Sequence, residues 1–177
     1  MSFSTARRLL KRLALEGFVT QETQGHRRRY HATLRLAVLG RQMLDHAPLT
    51  QAAAPRVAQL AHDTCRVAHL WISGYNDQVV CAVHADGRSG YPTVSVLCEI
   101  ASPSSSAAGS VLLPDRAQPR STLYVDLAGQ PSAVAAAVLE HGHVVAALAV
   151  TGDSAGDASA AVVTAAAALC ADLESRP

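Results

Sequence analysis

Apolar residues recur at Ala6, Leu9, Leu10 and Leu13, the spacing of one face of an α-helix, with Ser4 placed to cap it and Gly17 to stop it. Thr5, Arg8 and Arg12 fall on another face, flanked by Arg7 and Lys11, so this helix has an apolar side and a cationic side. The segments "FVTQE" and "RRRYH", joined by "TQGH", then read as the two strands of a hairpin. A helix followed directly by a basic hairpin is the back half of a winged helix-turn-helix. From about Thr33 to Leu44 the helical spacing returns (Leu34, Val38, Leu39, Leu44), "HAPLT" breaks it, and a second amphipathic helix is predicted over about Gln51–Thr64.

Beyond residue 66 the period changes. "VAHLWIS", "QVVCAVHA" and "TVSVLCEI" are strand-like runs separated by the turn signals "GYND" and "DGRSGYP", which predict an antiparallel meander. "SPSSSAAGSVLL" reads as a loop entering a short helix, "STLYVDL" and "SAVAAAVL" as extended segments, and "VVAALAV" as a strand after an "EHGH" turn. The Ala-rich stretch from about Ala158 to Leu173 reads as a closing helix. Strands with helices at both ends imply an α+β, sensor-like domain rather than a doubly wound sheet.

Charge sharpens this division. Residues 1–41 carry nine basic side chains against two acidic ones, a balance of +7, and the remainder carries six against twelve, a balance of −6. The near-neutral total of +1 therefore hides two parts built for different partners. The cysteines at 65, 81, 98 and 170 form no C-x-x-C pair, and no apolar leader precedes the first basic residues, so a reducing cytoplasm is the expected compartment. The apolar runs near Ala133–Leu139 and Val144–Val150 are far shorter than the ~20 residues of a spanning helix, and no membrane role is expected.

The strongest chemical signal is the cationic helix with its hairpin. In such motifs Arg forks read guanine edges in the major groove while wing cations neutralise phosphates. The opposing reading is a solvated basic face on an ordinary helix. "GDSAG" at 152–156 matches the G-x-S-x-G nucleophile elbow with Ser154 as nucleophile, but no His follows it, so the Ser, acid, His order of that hydrolase motif cannot be completed. His141 with His143, and Cys65 with His69, lack a third ligand at metal-site spacing, and neither a metal nor a cofactor is expected. Trp71 alternates with His69 on "HLWI"; core packing is its simpler role and a pocket wall its functional one.

These segments resemble the IclR-type bacterial transcriptional regulators. "STARRLLKRLALEGFV" is similar to the family's recognition helix, "HRRRYHATLRLAVLG" to its wing and linker helix, "RVAQLAHDTCRVAHLWI" to the start of its GAF-like effector domain, and "AVAAAVLEHGHVVAALAVTGD" to that domain's closing hairpin. The resemblance implies a partial winged helix over 1–32, a linker helix over 33–47 and an effector domain over 48–177. It implies a ligand-responsive, non-enzymatic regulator that binds double-stranded operator DNA and a small effector, an organic or aromatic acid, as a homodimer or tetramer. DNA contacts are expected at Ser4, Thr5, Arg7, Arg8, Lys11 and Arg12 and at Arg27, Arg28 and Arg29 of the wing. Effector contacts are expected at Trp71, Ala107, Ala108, Asp126, Ser132, Ala149 and Thr151. Ala149 departs from a pattern that often has two hydroxyl residues two apart, which points to a less polar ligand. The chain as printed starts at the recognition helix, and "LLPDRAQPRSTLY" is shorter than the family's helical segment there. The alternatives are a start further upstream or a sensor module that no longer grips DNA alone.

Overall fold

Ser2, not Ser4, caps the first helix. In the computed structural model helix α1 spans Phe3–Leu15, and the Ser2 hydroxyl accepts the Thr5 N–H at 3.2 Å. The structure describes residues 2–25, 27–74, 78–88, 93–95, 100–101, 106–112, 121–125, 131–152 and 155–175, with backbone alone at 93–95, 100–101, 121–125 and 131. Contacts divide the chain into two units, Met1–Leu44 and Asp45–Pro177.

In the first unit α1 ends at Gly17, whose φ of +75° is a left-handed conformation that suits glycine. Strands β1 (Val19–Gln24) and β2 (Arg27–Ala32) pair antiparallel from Val19 opposite Ala32 to Gln24 opposite Arg27. Helix α2 (Leu34–His46) follows. The start of α2 is tied back to the end of α1. The Thr33 hydroxyl donates to the Gly17 carbonyl at 2.7 Å, and Arg35 donates to the Glu16 carbonyl at 2.6 Å while lying over the Phe18 ring at 5.0 Å. Neither α1 nor α2 contains a buried residue.

The second unit is a layered α+β structure. Helix α3 (Pro48–Thr64) leads into β3 (Val67–Ser73) and β4 (Val79–Asp86), then β5 (Thr93–Ser95), β6 (Ile100–Ala101), the short helix α4 (Ala107–Leu112), β7 (Ser121–Val125), β8 (Pro131–Glu140) and β9 (His143–Thr151). A 3₁₀ turn at Ala155–Ala158 introduces helix α5 (Ser159–Glu174). The strands form one antiparallel sheet in the order β5-β4-β3-β9-β8-β7, with β6 also on the outer side of β4. The expected meander is there, and so is the closing hairpin, which turns through His141 and Gly142 at φ +50° and +80°. Two positive φ values in a two-residue loop match the twist of the flanking strands.

One face of the sheet is covered by α3 and α5, where Val57, Leu60, Val162, Leu169 and Leu173 pack with Leu70, Leu148 and Val150. The packing of α3 is so close that a side chain at Gly87, just after β4, would run into the Ala61 carbonyl. Ala155–Glu174, which contains the expected closing helix, is long and apolar enough by length and composition to cross a membrane. In this fold one side of it, Val162, Ala166, Leu169 and Leu173, is buried, and its Asp172 forms a two-bond ion pair with Arg56 of α3 at 2.8 and 3.0 Å. The other face of the sheet carries α4 and a second apolar cluster, and it positions the candidate ligand site.

Candidate functional site

The cationic surface of α1 comes from its helical pitch. At 100° per residue, Ser4, Thr5, Arg7, Arg8, Lys11 and Arg12 occupy one arc, opposite Ala6, Leu9, Leu10 and Leu13. All four cations are exposed. Two features narrow the arc. The Ser4 and Thr5 hydroxyls each lie 2.9 Å from the Ser2 hydroxyl, so both belong to the capping cluster, and Arg12 pairs with Glu16 at 3.3 Å. Arg8 and Lys11 are left as the cations at the centre of the arc.

The wing arginines separate onto two faces because side chains alternate along a strand. Arg28 and Tyr30 line a groove of about 450 Å³ against Phe3, Ala6, Arg7 and Leu10 of α1. Arg27 and Arg29 take the other face, with Arg29 opposite Glu22 in the ladder. Arg7 therefore sits at the edge of the arc, beside the groove. Phe3, Ala6 and Leu10 give the groove an apolar floor, and Phe3 is 86 % exposed.

In the second unit the register lays three rows of side chains across the face under α4. The outer row runs Asp86, Val67, Thr151, Ala133; the middle row His84, His69, Ala149, Ala135; the inner row Cys81, Trp71, Ala147, Ala137. A bulge at Ala82 brings Cys81, rather than Ala82, opposite Trp71. Ala107, Ala108 and Val111 of α4 close over the inner and middle rows and share one apolar cluster with Trp71, Cys81, Ala135, Ala147 and Ala149. Four expected effector residues, Trp71, Ala107, Ala108 and Ala149, thus meet in one place, with Thr151 at its edge. Ser132 stands apart, half-buried beside the irregularity in the β7–β8 ladder, its carbonyl accepting the Gly152 N–H at 3.0 Å. Asp126 and Ser154 lie outside the described residues.

The polar centre of this face is His69, which the sequence reading used only as a neighbour of Trp71 and Cys65. Its Nε2 is 3.1 Å from the Thr151 hydroxyl, its Nδ1 is 3.7 Å from the Cys81 sulfur, and its ring is 5.1 Å from that of His84. Burial, aided by the neighbouring His84, pushes its pKa down to about 4, so His69 is neutral at physiological pH. The His84 Nδ1 is buried without a hydrogen-bond partner among the described residues. Where the strands end, Thr151 also lines a cavity of about 430 Å³ with Cys65, Arg66, Val67, Arg88 and Gly152. Arg88 grips Asp86 through both carboxylate oxygens at 2.9 and 2.6 Å and holds that carboxyl well below its usual range. No group of three metal-ligating side chains is arranged for a metal among the described residues. The "HLW" alternation could have flagged His69, but His84 needed the register and Cys81 the bulge.

No family model matches the sequence, and no curated protein does. Solved structures do. An IclR family transcriptional regulator from Brucella abortus aligns with a TM-score of 0.69 at 13 % identity, over 95 % of this chain and 80 % of that one. An IclR homologue from Microbacterium hydrocarbonoxydans, solved with 4-hydroxybenzoate, aligns with a TM-score of 0.64 at 15 % identity, over 99 % of this chain and 88 % of that one. The C-terminal domain of the E. coli transcriptional regulator KdgR aligns with a TM-score of 0.55 at 18 % identity, covering 72 % of this chain and 99 % of that domain. The two units and their connection in sequence thus follow one known plan, and the chain has the fold of the IclR-type transcriptional regulators.

Proposed function

We propose that this protein is an IclR-type, ligand-responsive transcriptional regulator of the bacterial cytoplasm, acting as a homodimer or tetramer and not as an enzyme. Residues 1–32 contact operator DNA, 33–47 form the linker helix, and 48–177 sense a small effector. The observation that carries the reading is the exposed cationic face of α1, with Arg8 and Lys11 at its centre, followed by a hairpin bearing three consecutive arginines. Arg8 is positioned to fork onto a base edge, whereas Arg27 and Arg29 suit phosphates, which specify position rather than sequence. The Trp71, Ala107, Ala108 and Ala149 cluster supports an effector with an apolar body, and the 4-hydroxybenzoate complex of the Microbacterium homologue supports an aromatic acid.

The test is fluorescence anisotropy on a fragment of the promoter beside the gene and on random DNA of equal length. Arg8→Ala should weaken the promoter complex by ~1 to 3 kcal/mol and the random complex far less. Equal losses on both remove Arg8 from base readout. A second reading, a ligand-sensing or dimerisation module without independent DNA binding, is favoured by the open apolar stripe of α1, where Phe3, Leu9 and Leu13 are exposed. It takes first place if neither DNA is bound at low salt.

A further inference from the structure

The cavity at the ends of β3, β4 and β9 has a chemistry of its own. Two guanidinium side chains, Arg66 and Arg88, and the Thr151 hydroxyl line about 430 Å³, room enough for a small organic acid. The carboxylate beside it, Asp86, is already chelated by Arg88. Directly behind Thr151 stands a line of hydrogen-bonding groups. Thr151 Oγ1 is 3.1 Å from His69 Nε2, and His69 Nδ1 is 3.7 Å from Cys81 Sγ. The Val83 carbonyl is 3.3 Å from the Cys81 sulfur and is an acceptor for its thiol; we assign the His69 tautomer on that basis, with the thiol donating to Val83 and the Nδ1–H directed at the sulfur.

This arrangement gives the line a direction. In that tautomer the Nε2 of neutral His69 is an acceptor, and the Thr151 hydroxyl donates to it across 3.1 Å. A proton placed on Nε2 reverses the bond: the imidazolium donates to Oγ1, and the hydroxyl proton turns outward. An anion in the cavity accepts that hydroxyl and stabilises the positive ring behind it.

We infer that this cavity binds the carboxylate of a small organic acid, and that binding moves a proton from solvent onto His69 Nε2, with Thr151 relaying the change. The inference rests on the ligand-sensing reading of the second unit and adds to it the seat of the acid group and a pH dependence. No covalent bond forms or breaks. The groups around His69 are Trp71 on its own strand; His84, Cys81 and, beyond His84, the Asp86–Arg88 pair on the β4 side; and Thr151 and Ala149 on β9, while Ala107, Ala108 and Val111 of α4, which pack on Trp71, Cys81 and Ala149, do not titrate. Arg66 stands at the rim with Arg88. Without an anion, burial and His84 keep His69 neutral, and an anion hydrogen-bonded to Thr151 adds a negative charge on the imidazole's side of the cavity.

Calorimetric titration of the full chain with benzoate and with its neutral isostere benzamide tests this, at about pH 5.5 and about pH 7.5, in two buffers of different ionisation enthalpy. Benzoate should bind about tenfold more tightly at the lower pH with net proton uptake, and benzamide weakly and equally at both. Arg88→Ala should weaken benzoate at both pH values. His69→Gln should retain benzoate binding while losing the uptake and the pH dependence. Thr151→Val, which leaves the imidazole in place, should lose most of the pH dependence, so the inference does not hang on one variant folding. Equal binding of benzoate and benzamide, no saturable benzoate binding, or proton uptake that survives His69→Gln would overturn it. If uptake occurs as described yet benzoate never alters DNA affinity, the anion site stands and the sensing reading fails. If benzoate alters DNA affinity without uptake, sensing stands and the His69 relay fails.

Discussion

The two units solve the problem of burying apolar surface in opposite ways. In the second, the large side chains on one face of the sheet, Leu70, Leu148 and Val150 among them, are fully buried under α3 and α5. In the first, no residue of α1 or α2 is buried, and what order there is comes from the Ser2 cap, the hairpin ladder and the ties from Thr33 and Arg35. Isolated helices of about this length are marginal in water. The difference teaches that the surface proposed to read DNA is the less stable part of the chain, and that covering its apolar stripe would strengthen both the helix and its grip.

A pair of truncations breaks or sharpens that comparison most strongly. Leu148→Ala should cost about 3 kcal/mol in urea unfolding, whereas Leu13→Ala, at a position 40 % exposed, should cost well under 1 kcal/mol. If the two losses are equal, α1 is covered in solution and the contrast between the units is lost. The next largest effect is on pH. Folding lowers the His69 pKa from 6.5 to about 4, so below pH 6.5 the unfolded chain binds a proton that the folded one refuses. The stability this histidine allows is fully present above about pH 6.5 and is lost as pH falls toward 4, by an amount on the order of 3 kcal/mol. His69→Asn should flatten the stability profile over that window in denaturant titrations of the second unit's tryptophan fluorescence. A profile that stays as steep in the variant would place the acid sensitivity elsewhere.

Much of this architecture is readable from side-chain spacing, and what is not has a physical cause. Helical spacing marks α1, α2 and α3, an Ala-rich stretch marks α5, and apolar runs between turn signals mark β3, β4, β8 and β9, all of them local features of the chain. The cap was misplaced by two residues because Ser2 and Ser4 are equally good acceptors, and only the backbone decides which one receives the Thr5 N–H. The separation of Arg28 from Arg27 and Arg29 follows from strand alternation once the hairpin register is known. The site around His69 was hidden for a different reason. It depends on which strands are neighbours, and on a bulge at Ala82 that turns Cys81 toward His69, and neither is encoded in local hydrophobic pattern. The Ala107, Ala108 and Ala149 positions came from resemblance rather than spacing, and they do gather with Trp71 in one cluster.

A smaller prediction concerns the seam between α3 and α5. Asp172→Asn removes the partner of Arg56, but the pair is more than a third exposed, so the loss should be only about 0.5 kcal/mol by thermal unfolding. A much larger loss would mean that the helical layer depends on this ion pair and not on Val57, Leu60, Val162 and Leu169.

The central claim, that the basic first unit grips DNA, is tested most directly by the salt dependence of binding. Each neutralised phosphate contributes about −0.9 to the slope of log K against log salt. The intact chain should show a steep negative slope on duplex DNA, and replacing Arg27, Arg28 and Arg29 together by Ala should make it shallower by up to about 2.7. A slope near zero, or one unchanged by removing all three arginines, would contradict the account.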